Sequence, residues 1–258
     1  MTDEGSRSID IFGIKPVADA TKIATDGAVK GAGAFLSRIC LPAAEEFGFL
    51  LRDRVSGWRA AHATKIVEKA ATLTEQRQNA NLLHGHPRLI MMAIEEGSWS
   101  DADEVQDMWA GLLSSSCTIE GKDEDNLIFL NILKQLTTLQ AKIINYAVEH
   151  APKSISHKIF TLADSIRLKI EDVCAVFGCE DVHALDYQMD HLREIGLFEM
   201  PGGFDVNTGE AVLAPSALAI SFYVRCQGFV GTPKDYFGNL PEATGEQSAT
   251  ETVGSDPA

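Results

Sequence analysis

The sequence predicts a mainly α fold: a helical bundle, then a smaller α+β unit, then a disordered tail. Three observations carry this. Through most of residues 42–150 apolar side chains recur at spacings of three, four and seven, the period of a helix with one buried stripe. Beyond residue 154 the segments shorten, and two glycine-bearing turns, Pro201-Gly202-Gly203 and Asn207-Thr208-Gly209, join runs short enough for strands. From residue 238 Gly, Glu, Ser, Thr and Pro dominate, a composition too polar to bury a core.

Residues 1–14 read as a loose arm. Pro16 suits the first turn of a helix, and the segment 15–41 that it opens is rich in alanine and glycine. Each glycine costs about 1 kcal/mol relative to alanine inside a helix, so this segment needs a partner surface to be stable. Gly27 and Gly31 form a small-xxx-small pair that permits close helix approach. From Pro42 the spacing predicts one long helix to about residue 77. Its stripe is Phe47, Leu50, Leu51, Val55, Trp58, Ile66 and Val67, and its opposite face carries Arg52, Arg59, Lys65 and Lys69. Such a basic face suits either peripheral contact with a membrane or protein partner, or an ordinary solvated surface.

Residues 79–86 read as a turn. Pro87 starts a helix that Gly97 ends, and Ser100 stands as the cap of the next, with Asp101, Asp103 and Glu104 at its positive end. The buried face of that helix is Val105, Met108, Trp109, Leu112 and Leu113. Residues 114–123 read as a loop, followed by helices over 125–136 and 138–150, with Thr138 as the cap between them. The bundle is thus expected over 42–150.

Over 154–228 three short helices are expected, at 155–168, 170–177 and 182–195. Strands at 197–200, 204–206 and 212–213 and a last helix at 216–226 follow. This is the element order of a winged helix-turn-helix unit. In a DNA-binding version 182–195 would enter the groove, but it carries Asp186, Asp190 and Glu194, with Asp181 ahead of it, against a lone Arg193. Phosphate would repel it, so DNA binding is disfavoured and the unit is expected to hold another protein or a second copy of the chain.

Charge points the same way. The formal net charge is -15, spread unevenly: residues 1–83 hold 11 basic and 10 acidic side chains, the remainder 11 and 27. The first third is therefore the part with any affinity for an anionic surface, and it also has an acidic remainder to dock against. Five scattered cysteines without a Cys-x-x-Cys pair suit reduced, buried thiols. With no secretory leader and no long apolar run, the expectation is a cytoplasmic protein, in the peripheral case lying on the inner face of the membrane.

No catalytic motif is evident: neither a nucleophile elbow, nor a phosphate-cradling glycine loop, nor a dinucleotide fingerprint. His84 and His86 lack further metal ligands nearby, and Cys174 and Cys179 are spaced too widely for a zinc knuckle. No cofactor is expected. The acidic cluster Glu95, Glu96, Asp101, Asp103, Glu104 and Asp107 has two readings, a metal-dependent hydrolase site or caps and solvated faces.

The segment from His86 to Leu113 resembles the abortive infection alpha family. Glu104, Gln106, Trp109, Ala110, Leu112 and Leu113 stand in that family's Glu-Leu-Gln-x-x-Trp-Ala-x-Leu-Leu pattern, with Val105 in place of leucine. The resemblance extends over about 40–225, and Ser98-Trp99-Ser100 and 114–116 depart from it. It implies a role in defence against bacteriophage, in which an infected cell stops growing before progeny mature. It brings no catalytic residues. Two modes of action are open: protein contact together with membrane contact through the N-terminal segments, or a non-toxic scaffold that binds other defence proteins.

Overall fold

The computed structural model describes residues 15–50, 57–205 and 207–243, with side chains from Gly27 to Gly48 in the first stretch. The arm 1–14, Arg52, Leu51, Val55 and the tail beyond 243 lie outside the described residues. Helix α1 spans Lys15–Ile39, α2 Leu41–Leu50 and α3 Gly57–Glu75. The expected long helix from Pro42 is thus described as two helices flanking 51–56. The alanine- and glycine-rich α1 has its partner surface: Ala32, Phe35, Leu36 and Ile39, spaced by three and four, are buried, and α1 packs on α3. Gly27 and Gly31 are exposed, and a Cβ at either would meet nothing.

A 3-10 turn, Ala80–Leu82, leads to β1 (His84–Gly85) and α4 (Pro87–Gly97). His86 caps α4, its Nδ1 accepting from the Arg88 N–H at 3.3 Å. Helix α5 is Asp103–Ser115, followed directly by β2, Cys117–Thr118, which pairs antiparallel with β1. The predicted loop 114–123 thus begins as the end of α5 and the short β2, and its remainder, 119–123, is irregular. Ser100 does not cap α5: Ala102 occupies that position, and the Ser100 carbonyl instead accepts from Gln106 Nε2 at 2.8 Å. Helices α6 (Leu127–Gln135) and α7 (Thr138–His150) follow. Thr137, one residue before the predicted cap, forms a capping box with Gln140.

The main departure lies at 155–168. Instead of a helix, β3 (Lys153–Ser156) and β4 (Phe160–Ala163) form a hairpin, and β5 (Ile166–Lys169) starts a second sheet. The reason is local. His157 and Lys158 both take positive φ (49° and 61°), which reverses the chain, and the alternation of Phe160, Thr161 and Leu162 suits a half-buried strand. Helices α8 (Ile170–Phe177) and α9 (Val182–Glu194) then precede β6 (Gly203–Asp205) and β7 (Glu210–Leu213). Their sheet is antiparallel with strand order β5-β7-β6. Residues 197–200 form no strand; Phe198 makes one bridge, to Pro215. Helix α10 (Ala217–Cys226), capped by Ser216, and α11 (Pro233–Phe237) complete the order.

Of the expected tail, residues 238–243 are described, and the rest of that expectation lies outside the described residues. The Ile155 N–H donates to Pro241 O (2.8 Å) and its carbonyl accepts from the Ala243 N–H (2.9 Å), so this stretch runs along β3.

One hydrophobic core runs from Ala32 to Cys226, with α5 at its centre. Helix α5 touches α3, α4, α6, α7 and α10. It is buried not on one face but all round from Met108 to Cys117. Glycine makes this enclosure possible: a Cβ on Gly111 would stand 1.7 Å from the Cys226 carbonyl oxygen at the end of α10. Likewise a Cβ on Gly97 would lie 2.9 Å from Cγ of Trp109, so α4 rests directly on the indole.

Candidate interaction site

The pattern residues of α5 divide by height along the helix. Trp109, Ala110, Leu112 and Leu113 are buried and hold the surrounding helices together. Burying a tryptophan removes on the order of 200 Å² from water, which makes Trp109 the largest anchor of the core. Gln106 is also buried and spends its amide N–H on the Ser100 carbonyl, fixing the chain that enters α5. Glu104 alone stays exposed, at 3.7 Å from Lys142 Nζ of α7.

Where α5 ends, its carbonyls need partners. Arg77 supplies one, donating to Ser114 O (2.6 Å), and it also donates to Cys117 O of β2 (2.9 Å). Burial holds the Arg77 guanidinium below its ordinary pKa. Asn126 is buried, and its Nδ2 lies within 3.3 Å of Leu112 O, Ser115 Oγ and Ser116 Oγ. The Ser115 hydroxyl also reaches Arg225 O at 3.0 Å, tying α5 to α10. The serine run 114–116 is therefore a buried polar junction, a role no spacing rule announces.

The basic residues of α3 do not form an open face. Lys65 pairs with Asp103 and Lys69 with Asp107, both across to α5. The Lys65 ammonium, donating a hydrogen bond to Asp103, holds that carboxyl below its usual range. Arg59 lies over the Trp99 ring (4.0 Å), donates to Ser98 Oγ (3.0 Å) and reaches Glu95 O (3.3 Å). Among the described residues, Lys65 and Lys69 of the N-terminal third thus meet acids of the remainder. Exposed pairs of this kind contribute little to stability, because water and salt screen them.

The acidic cluster is dispersed in the same way: Glu96 pairs with Lys134 of α6, Asp103, Asp107 and Glu104 with lysines of α3 and α7. Among the described residues no group of three His, Cys, Asp or Glu side chains is placed to hold a metal ion. Beside these pairs a cleft of about 490 Å³ opens between α3, α5, α7 and the end of α10. Its apolar floor includes Leu73, Met108 and Ala110, and Lys69, Asp107 and Glu104 stand at its wall.

The C-terminal part presents two outward features. On the β3–β4 hairpin, Ile159, Phe160 and Leu162 are 68%, 61% and 42% exposed, while Thr161 between them faces inward. On α9, Tyr187, Asp190 and Glu194 are exposed, and Arg193 is spent on Asp190 (2.6 Å) and the Gly202 carbonyl (2.9 Å). The acidic surface of α9 was expected from the sequence, whereas the hairpin feature was not legible there, since Ile159, Phe160 and Leu162 read as part of a helix. Among the described residues no helix is long and apolar enough to cross a membrane.

No curated protein and no solved structure matches the chain. The family model for abortive infection alpha matches residues 60–214, from α3 to the end of the three-stranded sheet and so including the whole of α5 and its partners up to α10. The chain belongs to the abortive infection alpha family.

Proposed function

We propose that this protein serves anti-phage abortive infection from the cytoplasm through contact with another protein, not through catalysis, and that the β3–β4 hairpin is the contact surface. The observation that carries this is the outward row of Ile159, Phe160 and Leu162, three large apolar side chains side by side in water on a hairpin whose other face is packed. Soluble domains tolerate single exposed apolar residues, and clusters mark sites of association. Membrane contact through α3 receives less support, because Lys65 and Lys69 are already paired with α5.

The order β5, α8, α9, β6, β7, with β5 beside β7, supports a winged-helix-like reading of this region. Its second helix would be the reading helix, and the exposed acids of α9 with Arg193 occupied favour a protein partner over DNA. That feature also supports the second mode, a scaffold without toxicity of its own that engages other defence proteins.

The test is phage challenge of cultures carrying the wild-type gene or the Phe160→Asp, Leu162→Asp double variant, at low and high multiplicity. Wild type should protect at low multiplicity and collapse at high. The variant, with unchanged far-ultraviolet circular dichroism, should protect at neither. Full protection by the folded variant overturns the hairpin as contact surface. Normal growth on overexpression of the wild type, with a specific partner captured on α9, favours the scaffold.

A further inference from the structure

We propose that Cys174 and Cys179 form a dithiol modification site at the end of α8, which closes to an intramolecular disulfide. The geometry comes from the helix terminus. Gly178 takes the left-handed conformation (φ 64°, ψ 35°), and both its N–H and that of Cys179 (3.2 Å) donate to the Cys174 carbonyl. A backbone bond spanning six residues in this way folds the chain back at a helix end and brings together the side chains of its first and last residues, here both cysteines. Disulfides form over Cα separations of roughly 4.4–6.8 Å, and the Cys179 N–H bonded to the Cys174 carbonyl keeps the two residues adjacent across the turn. The acceptable spacing is thus supplied by the turn and not by the sequence interval, which is too wide for a metal knuckle.

Access separates this pair from the other thiols. Cys40, Cys117 and Cys226 are buried, whereas Cys174 and Cys179 are partly exposed. Burial raises the pKa of all three enclosed thiols, that of Cys117 to about 12, which removes them further from thiolate chemistry. With hydrogen peroxide as oxidant the step balances: the two S–H bonds break, one S–S bond forms, and peroxide takes two electrons and two protons to leave as two waters. Closure removes the bond from Cys179 Sγ to the Asp181 carbonyl (3.3 Å), and Asp181 is the N-cap of α9. The oxidation state of the pair is thereby read by the turn that enters α9.

The experiment treats the full chain with hydrogen peroxide, blocks remaining thiols, and digests with trypsin. Cleavage after Lys169 and Arg193 leaves both cysteines in the single peptide 170–193. The proposal expects this peptide two hydrogens lighter and unalkylated, restored by dithiothreitol, with free thiols in denaturant falling from five to three. Cys174→Ser and Cys179→Ser should each abolish closure, leaving one alkylatable or oxygenated thiol. Separate oxygen adducts on the two cysteines of the wild type, a disulfide joining two chains, or an unchanged peptide would each overturn the proposal.

Discussion

Replacing Gly111 by alanine tests whether the crossing of α5 and α10 organises the fold. Helix propensity by itself says this change, in the middle of α5, should stabilise the protein by about 1 kcal/mol. The tertiary structure says the opposite. The new Cβ would stand 1.7 Å from the Cys226 carbonyl oxygen and 2.4 Å from its carbon, both backbone atoms that no side-chain rotation can move. Ordinary contact needs roughly 3.5 Å, so the end of α10 must retreat by nearly 2 Å. Retreat breaks the Ser115 hydroxyl bond to Arg225 O and lifts Gly228 from Leu73. Overpacking costs about 1–3 kcal/mol and the lost bond about 1 kcal/mol, against the propensity gain of about 1. The net expectation is a loss of about 2 kcal/mol, a fall in Tm of roughly 4–8 °C for a chain of this size. Gly31→Ala is the control, since a Cβ there meets nothing and only propensity acts; its Tm should rise slightly. Thermal unfolding by circular dichroism measures both. A Tm for Gly111→Ala at or above wild type would refute the reasoning.

Further outcomes follow from other contacts. Trp109→Ala should cost about 3–5 kcal/mol in urea unfolding, whereas Trp109→Phe should cost well under half of that, because the indole N–H has no partner among the described residues. Asn126→Leu leaves the buried Ser115 and Ser116 hydroxyls without their amide partner and should lower stability by about 1–3 kcal/mol. Asp103 has a depressed carboxyl pKa, so its contribution is complete above the unfolded value near 3.8 and is lost as pH falls through the folded one. Asp103→Asn should therefore flatten stability against pH only at the acid end, and high salt should reduce the difference at neutral pH. Truncation after Phe237 removes both bonds from the tail to Ile155 and should speed exchange of the Ile155 amide while leaving that of Leu112 unchanged.

Most helices were legible because their causes are local. Pro87 and Gly97 bound α4, and the acids of Asp103 and Glu104 mark the start of α5. Asp181 and Ser216 cap the helices that periodicity places after them. The charge balance of residues 1–83 against the remainder likewise offered the basic residues of α3 an acidic counterpart. Other features depend on contacts between distant segments. Two left-handed residues, His157 and Lys158, turn 155–168 into strands, and although histidine is enriched in that conformation, lysine is not and the pair carries no glycine to announce the turn. Nothing in a single helical period distinguishes a helix buried on one side from α5, which is enclosed on all sides because α10 returns from 110 residues away to lie on Gly111 and Ser115. Lys65, Lys69 and the acids of α5 were each visible as charges, but only the packing of α3 on α5 pairs them and closes the basic face. Residue spacing therefore determined most of the helical segments, 155–168 excepted, and their starts to within a few residues, since capping and periodicity act over that range. Tertiary packing decided which of their faces remain free to meet a partner, since burial is a property of surfaces brought together from the whole chain.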